Sequence, residues 1–133
     1  MRRRYRRPVA SHPFRAAVEA ADQAAMVEQL APDVVFHTPV RFQPVEGRDA
    51  VAQVLAAVMR VFSDFRYTDE LVAEDGATVL VFEALVGDRE VQGIDLLRMN
   101  DDGLIADFSV MVRPLSATLA LRDAMGRELG LLA

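Results

Sequence analysis

The spacing of apolar positions changes part-way along the chain, and the change separates helices from strands. Phe14, Ala17, Val18, Ala21 and Ala25 recur at helical spacing. They predict a helix starting near Pro13, a residue whose fixed φ suits a first helical turn. Asp22 offers an N-cap for a second short helix over 23–30, with Pro32 as its stop. Asp33-Val34-Val35-Phe36-His37-Thr38 is β-branched and aromatic, so it predicts a strand ending before Pro39. Residues 41–47 read as a loop. Val51, Val54, Leu55, Val58, Met59 and Phe62 share one face of a third helix over 49–62.

After residue 65 the period shortens. Strands are predicted over 66–73, 78–86, 90–99 and 104–113, with turns at Glu74-Asp75-Gly76, Gly87-Asp88 and Asn100-Asp101-Asp102-Gly103. Pro114 ends the last strand, and Ser116 is placed to cap a final helix to about residue 129, weakened near its end by Gly126. Helices, a strand, a helix and an antiparallel meander make an α+β domain with helices on one face of a curved sheet. The strands are apolar on both faces. Asp95, Leu97 and Met99 share one side, Ile94, Leu96 and Arg98 the other. The predicted helices cover one face only, so the outward face, with Ile94, Leu96 and Met111, is expected to form a two-fold homodimer interface.

Composition narrows the chemistry. The chain has 133 residues, 52% of them hydrophobic and 26% charged, which suits one globular domain large enough to enclose a cavity. With no Cys there is no disulfide framework, thiolate nucleophile or zinc–thiolate site. No apolar run approaches the roughly 20 residues of a membrane span. The N-terminal Arg cluster lacks the apolar segment that must follow it in a secretion signal, because Ala10-Ser11-His12-Pro13 intervenes. A cytoplasmic protein is therefore expected. Five of the 15 basic residues are Arg2, Arg3, Arg4, Arg6 and Arg7, so the remainder carries −10 against −5 for the whole chain. An acidic body repels phosphate backbones, which argues against nucleic-acid binding by the fold. Residues 1–11 read as a basic disordered arm and residues 12–133 as the domain. No metal-ligand spacing, phosphate loop or nucleophile elbow occurs, and no cofactor is expected.

Two residues stand out as candidate catalytic groups. Asp95 is the one acid on an otherwise apolar strand face. An apolar pocket disfavours its charged form and raises its pKa. It is either a polar anchor or base in a pocket, or a structural partner of Arg66, Arg113 or a backbone N–H. His37 points away from Thr38 by strict alternation. A bulge beside Pro39 would turn it inward to form an acid–base dyad with Asp95. Tyr67 either packs in the core or supplies a hydroxyl to the pocket.

Asp33–Val40, the helix start Glu46-Gly47-Arg48-Asp49-Ala50, and the hairpin Ile94-Asp95-Leu96-Leu97-Arg98-Met99-Asn100-Asp101-Asp102-Gly103-Leu104-Ile105 resemble the nuclear-transport-factor-2-like superfamily, which includes SnoaL-like and ketosteroid isomerase-like domains. The resemblance spans roughly residues 14–112. It implies a cone-shaped curved antiparallel sheet with three helices on its concave face and a C-terminal helix. It also implies a pocket lined by Phe14, Val18, Phe36, Thr38, Leu55, Met59, Phe62, Phe82, Leu97, Phe108, Val110 and Val112. In ketosteroid isomerases an Asp base works with a Tyr and a protonated Asp as oxyanion donors. The base position falls on Thr38 and the Tyr position on Phe14, and only Asp95 matches. The expected function is therefore a SnoaL-like pocket protein for a small apolar molecule, with a carbonyl as the group that Asp95 would meet. The alternative is an acid–base isomerase, cyclase or dehydratase on a polyketide- or steroid-like substrate, using Asp95 with His37.

Overall fold

The first helix starts where His12 folds back on the chain: its Nδ1 accepts a hydrogen bond from the Phe14 N–H at 3.0 Å. This is α1 (Pro13–Glu19), followed by α2 (Gln23–Glu28), which the Asp22 carboxylate caps by accepting from the Ala25 N–H at 3.0 Å. Next come β1 (Leu30–His37), β2 (Val45–Glu46), α3 (Arg48–Val61), β3 (Phe62–Val72), β4 (Thr78–Val86), β5 (Arg89–Met99), β6 (Ile105–Arg113) and α4 (Leu115–Glu128). The computed structural model describes residues 11–130. The basic arm expected over 1–11 lies, apart from residue 11, outside the described residues.

The strands form one curved, unclosed sheet in the order β2-β1-β6-β5-β4-β3. The four-strand meander β3–β6 is antiparallel, as its short turns require. β1, however, runs parallel to β6, so the sheet is mixed where a purely antiparallel one was expected. The cause is topological. α3 and four strands intervene, and so long a connection lets β1 join β6 in the same direction, which a hairpin cannot.

Local expectations shift in three places. α2 ends at Glu28, before Pro32, which lies inside β1. The register of β1 on β6 jumps between Leu30 and Val35, so the missing N–H of Pro32 falls in the interrupted stretch. β3 starts at Phe62, directly after α3, and its first turn contains Asp64 at φ 51° beside a register shift. α4 starts after Pro114 rather than at Ser116 and has no side-chain cap.

Alternation sets the two faces of the sheet. Leu80, Phe82, Leu97 and Phe108 point inward and are buried under the helices. Outward, the cross-strand rows are Val81–Ile94–Met111 and Val79–Leu96–Ser109. No described helix is long and apolar enough to cross a membrane.

Candidate functional site

Between the inward face and the helices lies a cavity of about 450 Å³. Its walls are almost wholly apolar. α1 contributes Phe14 and Val18; β1 and the turn after it contribute Phe36 and Thr38; α3 contributes Leu55 and Met59. Phe62, Phe82, Phe108 and Val110 come from the sheet. Ten of the twelve lining residues expected from the sequence are thus present. Leu97 and Val112 are not among them. Leu97 sits between Thr78 and Phe108 in the ladder and is 0% exposed, so no surface remains to face a cavity. Val112 packs against the core beyond Gly93.

Asp95 opens onto this cavity from β5, between Leu80 of β4 and Val110 of β6. Neither Arg suggested as its partner reaches it. Arg66 donates to the Glu83 carboxylate at 2.7 Å and Arg113 to the Gln92 side-chain oxygen at 3.1 Å. Instead Tyr67, on β3, reaches across β4, and its hydroxyl donates to Asp95 Oδ2 at 3.1 Å. Both side chains are buried, at 6% and 9% exposure. Burial pushes the Asp95 carboxyl up to about 7, and the bond from Tyr67 pulls the other way. Burial, and then the charge of Asp95, raise the Tyr67 phenol well above its ordinary range. Near neutral pH Asp95 therefore exchanges readily between two forms. The neutral form can donate to a ligand oxygen, and the charged form can accept a proton.

Phe65 and Tyr67 are the signal the sequence offered for this pair. Two aromatics at i and i+2 fall on one strand face, and here Phe65 meets the Tyr67 ring edge-on at 5.0 Å. Phe65 also stacks on Phe82 at 4.9 Å, making an aromatic wall from β3 to β4. The sequence reading also missed the cavity side at α4, which Leu121 and Met125 of the helix and Leu129 just after it close.

His37 stands elsewhere. It remains opposite Ser109, and the register shift in β1 precedes it, so nothing turns it inward. Its Nε2 lies 3.1 Å from Asp107 Oδ2 on the outward face, with both side chains about two-fifths exposed. The His37–Asp95 dyad is thus not formed, because the sheet itself separates the two groups. Among the described residues, no group of three or more His, Asp or Glu is placed to hold a metal ion.

Residues 12–108 match the SnoaL-like domain family. The chain belongs to that family. This SnoaL-like domain is similar to a steroid delta-isomerase from Pseudomonas aeruginosa, with 39% identity and a TM-score of 0.86 over 94% of this chain and 96% of that one. A protein with a cystatin-like fold from Silicibacter pomeroyi is 36% identical, with a TM-score of 0.84 over 92% and 89% of the two chains. A ketosteroid isomerase-like fold from Catenulispora acidiphila, solved with trimethylamine, shares the architecture at 18% identity and a TM-score of 0.64, covering 86% of this chain and 92% of that one. No curated protein matches the chain.

Proposed function

We propose that this SnoaL-like domain binds a small apolar molecule bearing a carbonyl or phenol oxygen, and that Asp95, backed by Tyr67, is the polar anchor. The observation carrying this reading is a buried carboxyl that opens onto an apolar cavity and is bonded to a buried phenol. In such a setting a neutral carboxyl donates to a ligand oxygen at little desolvation cost. A cavity of about 450 Å³ suits a ligand of steroid or polyketide size.

Calorimetric titration with a steroid ketone and with its carbonyl-free counterpart tests the reading. The ketone should bind more tightly. Asp95→Asn keeps a donor and should bind the ketone nearly as well as the native chain. Asp95→Leu should weaken binding by roughly 1–3 kcal/mol, the cost of leaving a buried oxygen unsatisfied. Equal binding of the ketone by Asp95→Leu and the native chain would sink the proposal.

The likeness to a protein described as a steroid delta-isomerase, and a carboxyl that titrates near neutrality, favour a second reading as an acid–base enzyme. Asp95→Asn would then abolish turnover while binding survives. For Δ5-ketosteroid isomerisation itself we expect rates about 10²–10⁴-fold below an intact isomerase, because Thr38 stands at the base position. Turnover within tenfold of such an enzyme would show that Asp95 or another group serves as the base.

We further infer that two copies pair through the outward sheet face. The row Val81–Ile94–Met111 is apolar, with Met111 52% exposed. Charges of both signs flank it in the Arg66–Glu83 pair, and His37 and Asp107 add a further polar pair. A face carrying both signs can complement its own two-fold image.

A further inference from the structure

A cation lies over the ring of Tyr67. The Arg15 guanidinium lies 5.6 Å from the centre of the Tyr67 ring. Two carboxylates fix the guanidinium there: Arg15 Nε donates to Glu19 Oε2 at 3.1 Å, and Nη1 donates to Glu70 Oε1 at 3.2 Å. Glu70 is itself buried at 8% exposure, and its other oxygen accepts from the His12 backbone N–H at 2.9 Å. The order is therefore Glu70, Arg15, Tyr67, Asp95, running from β3 to α1, back to β3 and on to β5 at the cavity. Arg15 is not among the cavity-lining residues, so it does not touch a ligand there.

We propose that Arg15 is a positioning residue, which fixes the Tyr67 ring and strengthens its hydroxyl as the donor to Asp95. Two physical effects act together. A planar guanidinium on an aromatic face restricts the ring. A positive charge beside a phenol also makes its O–H a stronger donor. The charged and titratable groups around the pair come from every side: Arg15 and Glu19 on α1, His12 before it, whose charged form burial disfavours, Glu70 on β3 and Asp95 on β5. Glu19 and Glu70 offset part of the Arg15 charge, so ring placement is the larger contribution. The proposal builds on Asp95 and Tyr67 being the anchor of the site. Its test uses no ligand, so a failure to bind ketones would count against that anchor reading and leave this one standing.

The test is carbon-13 NMR titration of the Asp95 carboxyl in the full chain, in native, Arg15→Met, Tyr67→Phe and doubly substituted forms. Tyr67→Phe should raise the Asp95 midpoint, since it removes the bond that favours the carboxylate. Arg15→Met should raise it by about half a unit, the size of a modest cation–π interaction. The double variant should titrate as Tyr67→Phe alone does. Shifts that simply add would mean that Arg15 acts on Asp95 directly by its charge and would overturn the proposal. So would an unchanged midpoint in Arg15→Met with only a lowered melting temperature. If Arg15→Met does not fold, Arg15→Lys decides. It keeps the charge and loses the planar, two-carboxylate placement, so an upward shift supports the proposal and no shift overturns it.

Discussion

Asp95 makes the stability of the folded chain depend on pH in an unusual direction. Its carboxyl titrates at about 7 when folded, against 3.8 as a free side chain. Between those values the folded chain holds a proton that the unfolded chain has released. The contribution is therefore fully present below about 3.8 and is lost as pH rises through about 7. Each unit of displacement corresponds to about 1.4 kcal/mol, so the swing should reach a few kcal/mol. Urea melts of the native chain and of Asp95→Asn from pH 4 to 8 isolate it. The native chain should lose stability relative to Asn as pH rises, and a flat difference would place the Asp95 midpoint near that of a free side chain. Asp95 was legible in the sequence because one acid on an apolar strand face stands out. Tyr67 was legible only as a residue of the core or the pocket; its bond to Asp95 was not, because it reaches across β4, and no local pattern records a contact that skips a strand.

At the level of elements, β4 and β5 depend on a missing side chain. Phe82 lies opposite Gly93, and a Cβ on Gly93 would meet Phe82 Cζ at 2.4 Å and the Met111 carbonyl oxygen at 2.8 Å. The far end of the ring fills the space beside the glycine, where it stacks on Phe65 and packs against Phe62. Gly93→Ala should displace Phe82 into the cavity and lower stability by about 1–3 kcal/mol, read from chemical denaturation, and shrink the space for ligand. Unchanged stability would mean that the aromatic wall can shift without loss. The extents of β4 and β5 were readable because turn residues at Glu74-Asp75-Gly76, Gly87-Asp88 and Asn100-Asp101-Asp102-Gly103 bound them. The bounds of β3 were not, because α3 runs into it with no intervening turn residue. The cavity face of α4 was also hidden, since Leu115 and Leu119 stay exposed and blur its apolar stripe.

At the level of the whole molecule, the fold was legible from the change of period and the resemblance of a few short segments. What escaped was the direction of β1, which side-chain alternation cannot encode. The outward face supplies the assembly prediction. Light scattering coupled to gel filtration should give about twice 14.7 kDa. Ile94→Glu should convert the dimer to a folded monomer with an unchanged circular dichroism spectrum, by burying an unpaired charge in the interface. A native chain that elutes as a monomer at micromolar concentration would remove the outward face as an interface.

The parallel pairing of β1 with β6 has a consequence for the order of assembly. His37 and Asp107 are 70 positions apart, whereas β3 to β6 follow one another through tight turns. Closing so long a loop costs chain entropy that the meander does not incur, so β1 docks late. Until it does, Phe36 has not reached Phe108, 5.1 Å away in the finished fold, and the chamber lacks a wall. A guest that requires all the walls therefore acts only on the completed molecule, and its free energy of binding adds to that final closure.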